Sequence, residues 1–259
     1  MIPPIAAVDP WLGFLALFAA GLAAGALNVV AGGGSFLTLP VLIFFGLPPT
    51  VANATNRVGI IAQNVGAVWS FHRHRVLPWP WVVAIMGPAA LGSVLGTWAA
   101  LEVSDEGFRK LLAFLMVAIT LWSLLDRRSA ALGDAPPPAA PPRGKLVALL
   151  AGFFLVGIYG GFVQAGVGFL MLAVLSFAGL DLVRGNAVKV TAALLFTAVS
   201  LAIFVWQDRI EWAPGLVLGA GNLIGGLVGV RLTVLRGHAW IKGVVTVTVI
   251  AFAVLLWLG

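Results

Sequence analysis

Apolar runs of about 20 residues, the length of an α-helix that crosses a bilayer, recur throughout this 259-residue chain. Hydrophobic residues make up 61% of the sequence and charged residues 9%, whereas soluble domains contain roughly 25% charged residues. The runs are too long and too continuous for the alternating strands of a membrane β-barrel. The sequence therefore predicts an all-α integral membrane protein.

The apolar runs form ten predicted segments, five on each side of a polar, proline-rich stretch. Residues 126–144 read DRRSAALGDAPPPAAPPRG and are predicted to form a solvated, semi-stiff linker. The linker separates a first membrane repeat, residues 1–125, from a second, residues 145–259. The predicted segments are Trp11–Ala31, Phe36–Phe45, Val51–Phe71, Trp81–Leu101, Phe108–Leu125, Leu146–Val163, Phe169–Ala178, Leu182–Trp206, Trp212–Leu235 and Trp240–Leu258.

The two halves of the chain resemble each other when they are aligned at an offset of 133 residues, with eight identities in the twelve positions 36–47. Glycine, asparagine and tryptophan also match in this register: Gly33 aligns with Gly166, Asn53 with Asn186 and Trp79 with Trp212. Such residues do not coincide as readily by chance as leucine and alanine do. The alignment predicts an internal repeat of about five helical segments, as in many transporters.

Loop charges predict how the repeats are oriented. The loop 71–78 contains Arg73 and Arg75, whereas its counterpart 207–211 is net acidic. The loop 102–110 is net acidic, whereas its counterpart 231–242 is basic. Because basic loops stay in the cytoplasm, equivalent loops face opposite sides and the repeats have inverted topology. The linker is then cytoplasmic, and both termini are periplasmic.

Two segments, near residues 28–46 and 161–179, combine apolar sequence with helix-breaking glycines and are predicted to be discontinuous helices. Backbone that leaves helical geometry within a bilayer must be buried in protein or line a cavity. Glycines in membrane helices can also serve only close packing, as we predict for Gly92/Gly96 and Gly225/Gly229. For the breaks we favour an anion site on half-helix N-termini, with Ser35 as a cap. The candidate residues of the breaks are Gly33, Gly34, Ser35, Gly166 and Gly168.

Arg57 and Lys189 lie within apolar sequence, where a cation costs at least ~2.5 kcal/mol. Snorkelling to the headgroups is the alternative interpretation. The repeat places both cations near a pseudo-two-fold axis, where a single anion could contact both. Further candidate ligands are asparagines, which could instead pair with backbone groups left free at the breaks, and one glutamine: Asn28, Asn53, Asn56, Asn186 and Gln164. Gln63, Asn64, Thr55 and Thr191 are weaker candidates.

The sequence offers little for other kinds of chemistry. It contains no cysteine, and we find no catalytic triad, no paired buried carboxylates and no metal-ligand motif. We therefore predict no enzymatic activity, no cofactor, no catalytic residue and no metal site. The net charge of +6 follows from basic loops in a chain with few acidic residues and does not indicate nucleic-acid binding.

Three motifs resemble the TauE/SafE family of sulfite-exporter-like permeases. They are AGALNVVAGGGSFLTLP (24–40), GLPPTVANATNR (46–57) and GLDLVRGNAVKV (179–190). Arg57 fills the place of a basic residue in the first repeat's motif, and Lys189 matches the lysine of the second. The segment GGFVQAGVGF departs from the glycine-rich pattern, which assigns Gln164 a role in selectivity. The resemblance implies transport of small sulfur-containing anions, such as sulfite or sulfoacetate, across the bacterial inner membrane.

The favoured function is thus a secondary transporter that moves a small anion by alternating access. An anion-selective channel is the alternative, and a membrane scaffold or enzyme is the least favoured class. The predicted partners are a small anionic substrate and the lipid bilayer, and a homodimer stays open. Export or import, and the coupling ion, are likewise open at this point.

Overall fold

The computed structural model describes residues 10–125 and 138–236, together with the isolated positions 250 and 254. All regular structure within these residues is helical, which confirms the all-α prediction. The first repeat contains α1 (Pro10–Ala31), α2 (Ser35–Phe45), α3 (Pro49–Arg73), α4 (Trp79–Leu101) and α5 (Asp105–Leu125). The second contains α6 (Arg143–Phe162), α7 (Val167–Ala178), α8 (Leu182–Trp206) and α9 (Trp212–Arg236). Most of the linker, residues 126–137, and nearly all of the predicted segment Trp240–Leu258 lie outside the described residues.

Five of the described helices, α1, α4, α6, α8 and α9, are long and apolar enough to cross a bilayer. Helix α3 has the same 25-residue length as α8, but it is less apolar because it carries four amide side chains and an arginine in its first sixteen residues. Together with the shorter apolar helices α2 and α7, these elements make the chain a multi-pass membrane protein.

The two short helices confirm the predicted discontinuous segments. Helix α2 has 11 residues and α7 has 12, so each rises about 16–18 Å, roughly half the hydrocarbon core. Each ends at a glycine in the left-handed region, with φ of 116° at Gly46 and 104° at Gly179. A residue with a Cβ atom is strained in this conformation, whereas glycine adopts it freely and ends the helix.

The helices of the two halves correspond closely. Helices α3 and α8 begin and end 133 residues apart, and α4 and α9 begin at the equivalent residues Trp79 and Trp212. The closest helix pairs are α1 with α9 and α4 with α6. These pairs are equivalent, because in each the first helix of one repeat packs against the fourth helix of the other. The inverted orientation of the two repeats stays a prediction.

Glycines allow these two helix pairs to pack closely, as predicted for both GxxxG motifs. A Cβ atom built on Gly96 of α4 would lie 1.9 Å from the carbonyl oxygen of Ile158 in α6. A Cβ atom on Gly225 of α9 would lie 2.0 Å from the carbonyl oxygen of Leu22 in α1. Gly92 and Gly229 make similar approaches to the same two partner helices. The prediction of close packing at these glycines is therefore confirmed.

Helices α3 and α8 pack against each other in the centre of the bundle. Residues 52–60 of α3 are all buried, and so are residues 185–193 of α8, which is the same stretch shifted by 133 positions. The amides and cations on these stretches therefore lie in protein rather than in lipid. This burial positions the candidate functional residues.

Candidate functional site

The two helix breaks cross each other in direct backbone contact. Gly32 follows the end of α1 and has a left-handed φ of 88°. A Cβ atom built on Gly168, in the first turn of α7, would lie 2.3 Å from the Cα atom of Gly32. Such an approach is possible only between glycines, so these two residues bring the C-terminal end of α1 and the N-terminal end of α7 to one point.

The C-terminal end of α6 is held by two side chains of α3. Arg57 donates through Nη1 to the carbonyl oxygen of Gly160, at 3.0 Å, and through Nη2 to that of Gly161, at 2.6 Å. Asn53 donates through Nδ2 to the carbonyl oxygen of Phe162 at 2.9 Å. The last carbonyls of a helix have no partner within the helix. Arg57 and Asn53 therefore satisfy the groups that the break after α6 leaves free.

The end of α1 is held in the same way by side chains of α8. Lys189 Nζ donates to the carbonyl oxygens of Asn28, at 3.0 Å, and Val29, at 2.9 Å, and to Oδ1 of Asn186 at 2.5 Å. Asn186 Nδ2 lies 3.4 Å from the carbonyl oxygen of Val30. An asparagine and a cation from each repeat thus cap the broken first helix of the other repeat.

This capping explains how two cations are accommodated without an acidic partner. Arg57 is completely buried and Lys189 is 3% exposed, and all their hydrogen-bond acceptors are neutral oxygens. The partial negative charge at a helix C-terminus favours a nearby cation. The expectation that one anion meets both cations is not reproduced in this conformation, because each binds the end of a different helix.

Ser35 does not cap α2, so that part of the prediction was wrong. Gly34 precedes the helix with helical backbone angles, and no side chain accepts a capping hydrogen bond there. Ser35 is the first helical residue, and its Oγ instead accepts from Nδ2 of Asn56 at 3.2 Å. Asn56 Oδ1 also accepts from Thr38 at 2.6 Å. The serine and Asn56 therefore join α2 to α3.

A small cavity lies where the breaks meet α3 and α8. Its volume is about 10 Å³, enough for about one water molecule. Four of the predicted site residues line it: Asn28, Gln164, Gly168 and Lys189. The other lining residues are Ile60, Gln63, Asn64, Val167, Met171, Val190 and Ala193.

The polar wall of this cavity is a connected set of amides with one cation. Asn28 Nδ2 donates to Gln63 Oε1 at 3.1 Å, and Gln63 Nε2 donates to Asn64 Oδ1 at 3.1 Å. The Nδ2 group of Asn64 is buried and has no hydrogen-bond partner among the described residues. Gln63 and Asn64 are therefore stronger candidates than the sequence indicated, where the only signal was their polarity about two helical turns beyond Arg57.

Gln164 connects the cavity to Arg57. Its Oε1 accepts from Arg57 Nη1 at 3.3 Å, and its Nε2 donates to the hydroxyl of Thr197. Arg57 itself is not among the residues lining the cavity. Its Nε is buried and has no hydrogen-bond partner within the described part of the chain. Seven further candidates also lie off the cavity wall: Gly33, Gly34, Ser35, Asn53, Asn56, Gly166 and Asn186.

The wall combines one cationic side chain with the start of a helix. Lys189 is the only charged side chain among the described residues that line the cavity. Val167 and Gly168, the first two residues of α7, also line it, so the positive end of that helix dipole adjoins the cavity. The described residues hold no group of three His, Asp or Glu side chains that could bind a metal ion.

Comparisons with known proteins extend over nearly the whole chain. A family model described as "Sulfite exporter TauE/SafE" matches residues 17–256. The chain is 30% identical over 235 residues to a probable membrane transporter protein of Haemophilus influenzae, covering 89% of each chain. It is 29% identical over 243 residues to probable membrane transporter protein ORF9 of a Sinorhizobium species, covering 93% of this chain and 90% of the relative. It is 30% identical over 236 residues to probable membrane transporter protein YfcA of Escherichia coli K12, covering 89% of this chain and 84% of the relative.

Proposed function

The chain belongs to the sulfite exporter TauE/SafE family of membrane transporters, and on this premise we propose that it carries a small oxyanion by alternating access. The substrate class is a sulfur-containing oxyanion or organosulfonate, such as sulfite or sulfoacetate, and the membrane is the bacterial inner membrane. The cavity that contains Lys189 and Asn64 is the substrate site. The observation that carries the proposal is that one cavity is lined by a cation and by an amide donor that have, respectively, no acidic partner and no hydrogen-bond partner among the described residues.

The charge of the cavity favours an anion over other small solutes. Among the described residues, Lys189 bonds only to neutral oxygens, so no carboxylate of this part of the chain cancels its charge. At 4 Å and an effective dielectric constant of 20, a unit charge interacts with another by about 4 kcal/mol. A substrate carboxylate or sulfonate gains this attraction, whereas a cation is repelled and a neutral solute gains little.

The hydrogen-bonding groups suit oxygen atoms of the substrate. Asn64 Nδ2 has no hydrogen-bond partner in the described part of the chain, and the first turn of α7 begins at the cavity with Val167 and Gly168. A buried donor without a partner costs about 1–3 kcal/mol, which an acceptor recovers. An oxyanion offers several acceptors at once and therefore fits this arrangement better than a halide ion does.

The size of the cavity supports a carrier over an open pore. A volume of about 10 Å³ holds roughly one water molecule, so an oxyanion enters only when the surrounding helices separate. Alternating access provides this separation on one side at a time, about a site near the repeat interface. The glycine contact between Gly32 and Gly168 is the point about which the broken helices can move apart.

Anion flux into proteoliposomes tests the proposal. We expect Asn64→Asp, which is almost isosteric, to lower sulfite or sulfoacetate flux at least about tenfold, because a loss of only 1.4 kcal/mol in binding has that effect. Lys189→Met should do the same. Lys110→Met is the matched control, because Lys110 is exposed and pairs with Glu106. Full flux in both Asn64→Asp and Lys189→Met would exclude the cavity as the substrate site.

The same vesicles distinguish a carrier from a channel. A carrier exchanges substrate faster when the opposite side contains substrate, whereas a channel shows no such acceleration and carries measurable single-channel current. The chain has no cysteine, so single cysteines placed in the loop 74–78 and in the loop 207–211 report orientation through impermeant thiol reagents. We expect only the second loop to be labelled from the periplasm.

A further inference from the structure

A row of buried hydroxyl groups lies between α4 and α8, outside the cavity wall. Ser93 and Thr97 belong to α4, and Thr197 and Ser200 belong to α8. All four residues are completely buried. We refer to these four residues as the hydroxyl seam. Polar groups buried within membrane helices are energetically costly unless they have hydrogen-bond partners, and they often have a function.

Hydrogen bonds connect the seam to the cavity at one end. Gln164, which lines the cavity, donates to Thr197. Ser200 lies three residues further along α8, and its Oγ is 2.5 Å from Oγ1 of Thr97. Thr97 is also 2.7 Å from the carbonyl oxygen of Ser93. The hydroxyls thus continue in steps from the cavity along the α4–α8 interface.

Arg57 lies beside the same interface. Thr97 and Arg57 both donate to the carbonyl oxygen of Gly161, at 3.3 Å and 2.6 Å. The guanidinium carbon of Arg57 is 4.9 Å from the ring centroid of Phe204, one helical turn beyond Ser200. The Nε group of Arg57 is buried without a hydrogen-bond partner among the described residues. A cation with a free donor therefore adjoins the hydroxyls.

One face of α8 carries the cavity and the seam in succession. Ala193 lines the cavity, and Thr197, Ser200 and Phe204 follow at the spacing that keeps residues on one face of a helix. The face ends near Trp206, whose ring packs edge to face on Trp98 of α4 with centroids 6.2 Å apart. Both tryptophans are exposed, so the seam leads from the cavity towards the surface of the bundle.

The repeat shows that the seam is not a general requirement of helix packing. At the offset of 133, Ser93 corresponds to Gly226, Thr97 to Val230 and Ser200 to Ala67. The equivalent interface between α3 and α9 is thus built without these hydroxyls. It packs closely through glycines: a Cβ atom built on Gly226 would lie 2.8 Å from Cγ of Gln63. Thr197 corresponds to Asn64, so none of the four seam residues has a hydroxyl group at its equivalent position.

We propose that Arg57 and the hydroxyl seam form a second anion station, through which the substrate passes between the cavity and the bundle surface at Trp98 and Trp206. This inference rests on the proposed function and adds the path that the anion takes between the cavity and the surface. The guanidinium attracts the oxyanion, and the hydroxyls donate hydrogen bonds to its oxygens. Because the hydroxyls carry no charge, they hold the anion weakly enough to release it, as passage through successive sites requires.

Single-cysteine labelling tests the route, because the chain contains no native cysteine. Thr97→Cys and Ser200→Cys are small changes within the seam. Thr233→Cys is the matched control, because Thr233 is buried and, among the described residues, its hydroxyl bonds only to the carbonyl oxygen of Gly229 in its own helix. The probes are a sulfonate-bearing methanethiosulfonate reagent and its trimethylammonium counterpart, with sulfoacetate as the protecting anion.

We expect the anionic reagent to label the seam cysteines at least about tenfold faster than the cationic one, as an electropositive path steers anions. Sulfoacetate should slow this labelling, and Thr233→Cys should stay unlabelled. If Thr97→Cys fails to fold, Ser200→Cys supplies the same readout. Labelling no faster than in Thr233→Cys, or labelling without charge preference, overturns the route.

Asn64→Cys separates a failure of the route from a failure of the proposed function. Asn64 lines the cavity, so sulfoacetate protects a cysteine there whichever way the anion leaves. One outcome refutes the second station and leaves the transporter proposal standing. In that outcome the unsubstituted protein carries anion flux and sulfoacetate protects Asn64→Cys, but the seam cysteines stay unlabelled. Absence of flux for every anion tested refutes the proposed function and the station with it.

Discussion

Replacing Arg57 with methionine removes the cap from the end of α6 while keeping an apolar side chain of similar length. The change deletes three hydrogen bonds, to Gly160, Gly161 and Gln164. The Gly161 carbonyl keeps a bond from Thr97, whereas the Gly160 carbonyl and the Gln164 side-chain oxygen each lose this donor.

The size of the effect follows from these bonds. Three interhelical hydrogen bonds at about 0.6 kcal/mol each, the average measured in a membrane protein, set a lower value of about 2 kcal/mol. Two acceptors left unpaired at about 2 kcal/mol each set an upper value of about 4 kcal/mol. For a chain of this size, a loss of about 2–4 kcal/mol lowers Tm by roughly 4–16 °C.

Thermal unfolding in detergent micelles measures this change, with the fluorescence of the ten tryptophans as the signal. Arg73→Met is the control on the same helix, because Arg73 is exposed and rests on the ring of Trp69; a surface change of this kind stays within about 0.5 kcal/mol. Arg57→Lys keeps the charge but loses the planar pair of donors, so its Tm should lie between those of the unsubstituted protein and Arg57→Met. An Arg57→Met protein with the same Tm as Arg73→Met would refute the capping role.

Three further changes test the break region and its flanks by the same measurement. Gly168→Ala places a Cβ atom 2.3 Å from the Cα atom of Gly32 and should lower the free energy of unfolding by about 3 kcal/mol or more. Gly87→Ala is its control, because a Cβ atom on Gly87 meets nothing within 4 Å. Equal Tm values for the two variants would contradict the crossing of the breaks. Asp181→Ala removes the side chain that accepts from two amides at the start of α8 and should lower stability by about 1 kcal/mol, whereas an unchanged Tm would show that this end is capped otherwise. Asn53→Leu loses the bond to the last carbonyl of α6 and should cost about 0.6–2 kcal/mol; a gain in stability would argue against that bond.

The sequence predicted the helical class and the short helices correctly. Glycines and a short apolar length marked α2 and α7 as broken segments, because a bilayer-crossing helix needs about 20 residues. The offset of 133 residues predicted that α3 and α8 are equivalent, and their bounds differ by that number at both ends. These features are local or periodic, so they can be recognised without knowing which helices touch.

The contacts of the cations could not be predicted in the same way. Arg57 bonds to groups more than 100 residues away, and Lys189 to groups about 160 residues away. Most of their partners are backbone carbonyls, which every residue carries and which therefore leave no signal in the side-chain pattern. Asn64 was underrated for a related reason, because its free amide is evident only after its neighbours are known.

The apolar composition determined that the chain crosses a membrane, and the glycine breaks determined where two of its apolar segments are interrupted. The same stretches placed Arg57 and Lys189 in apolar surroundings, where each requires a partner. The tertiary structure decided what those partners are, because crossing helices bring the carbonyl end of one repeat to the cation of the other. It also decided that Lys189, and not Arg57, lines the cavity, since that depends on which faces of α3 and α8 turn towards the breaks.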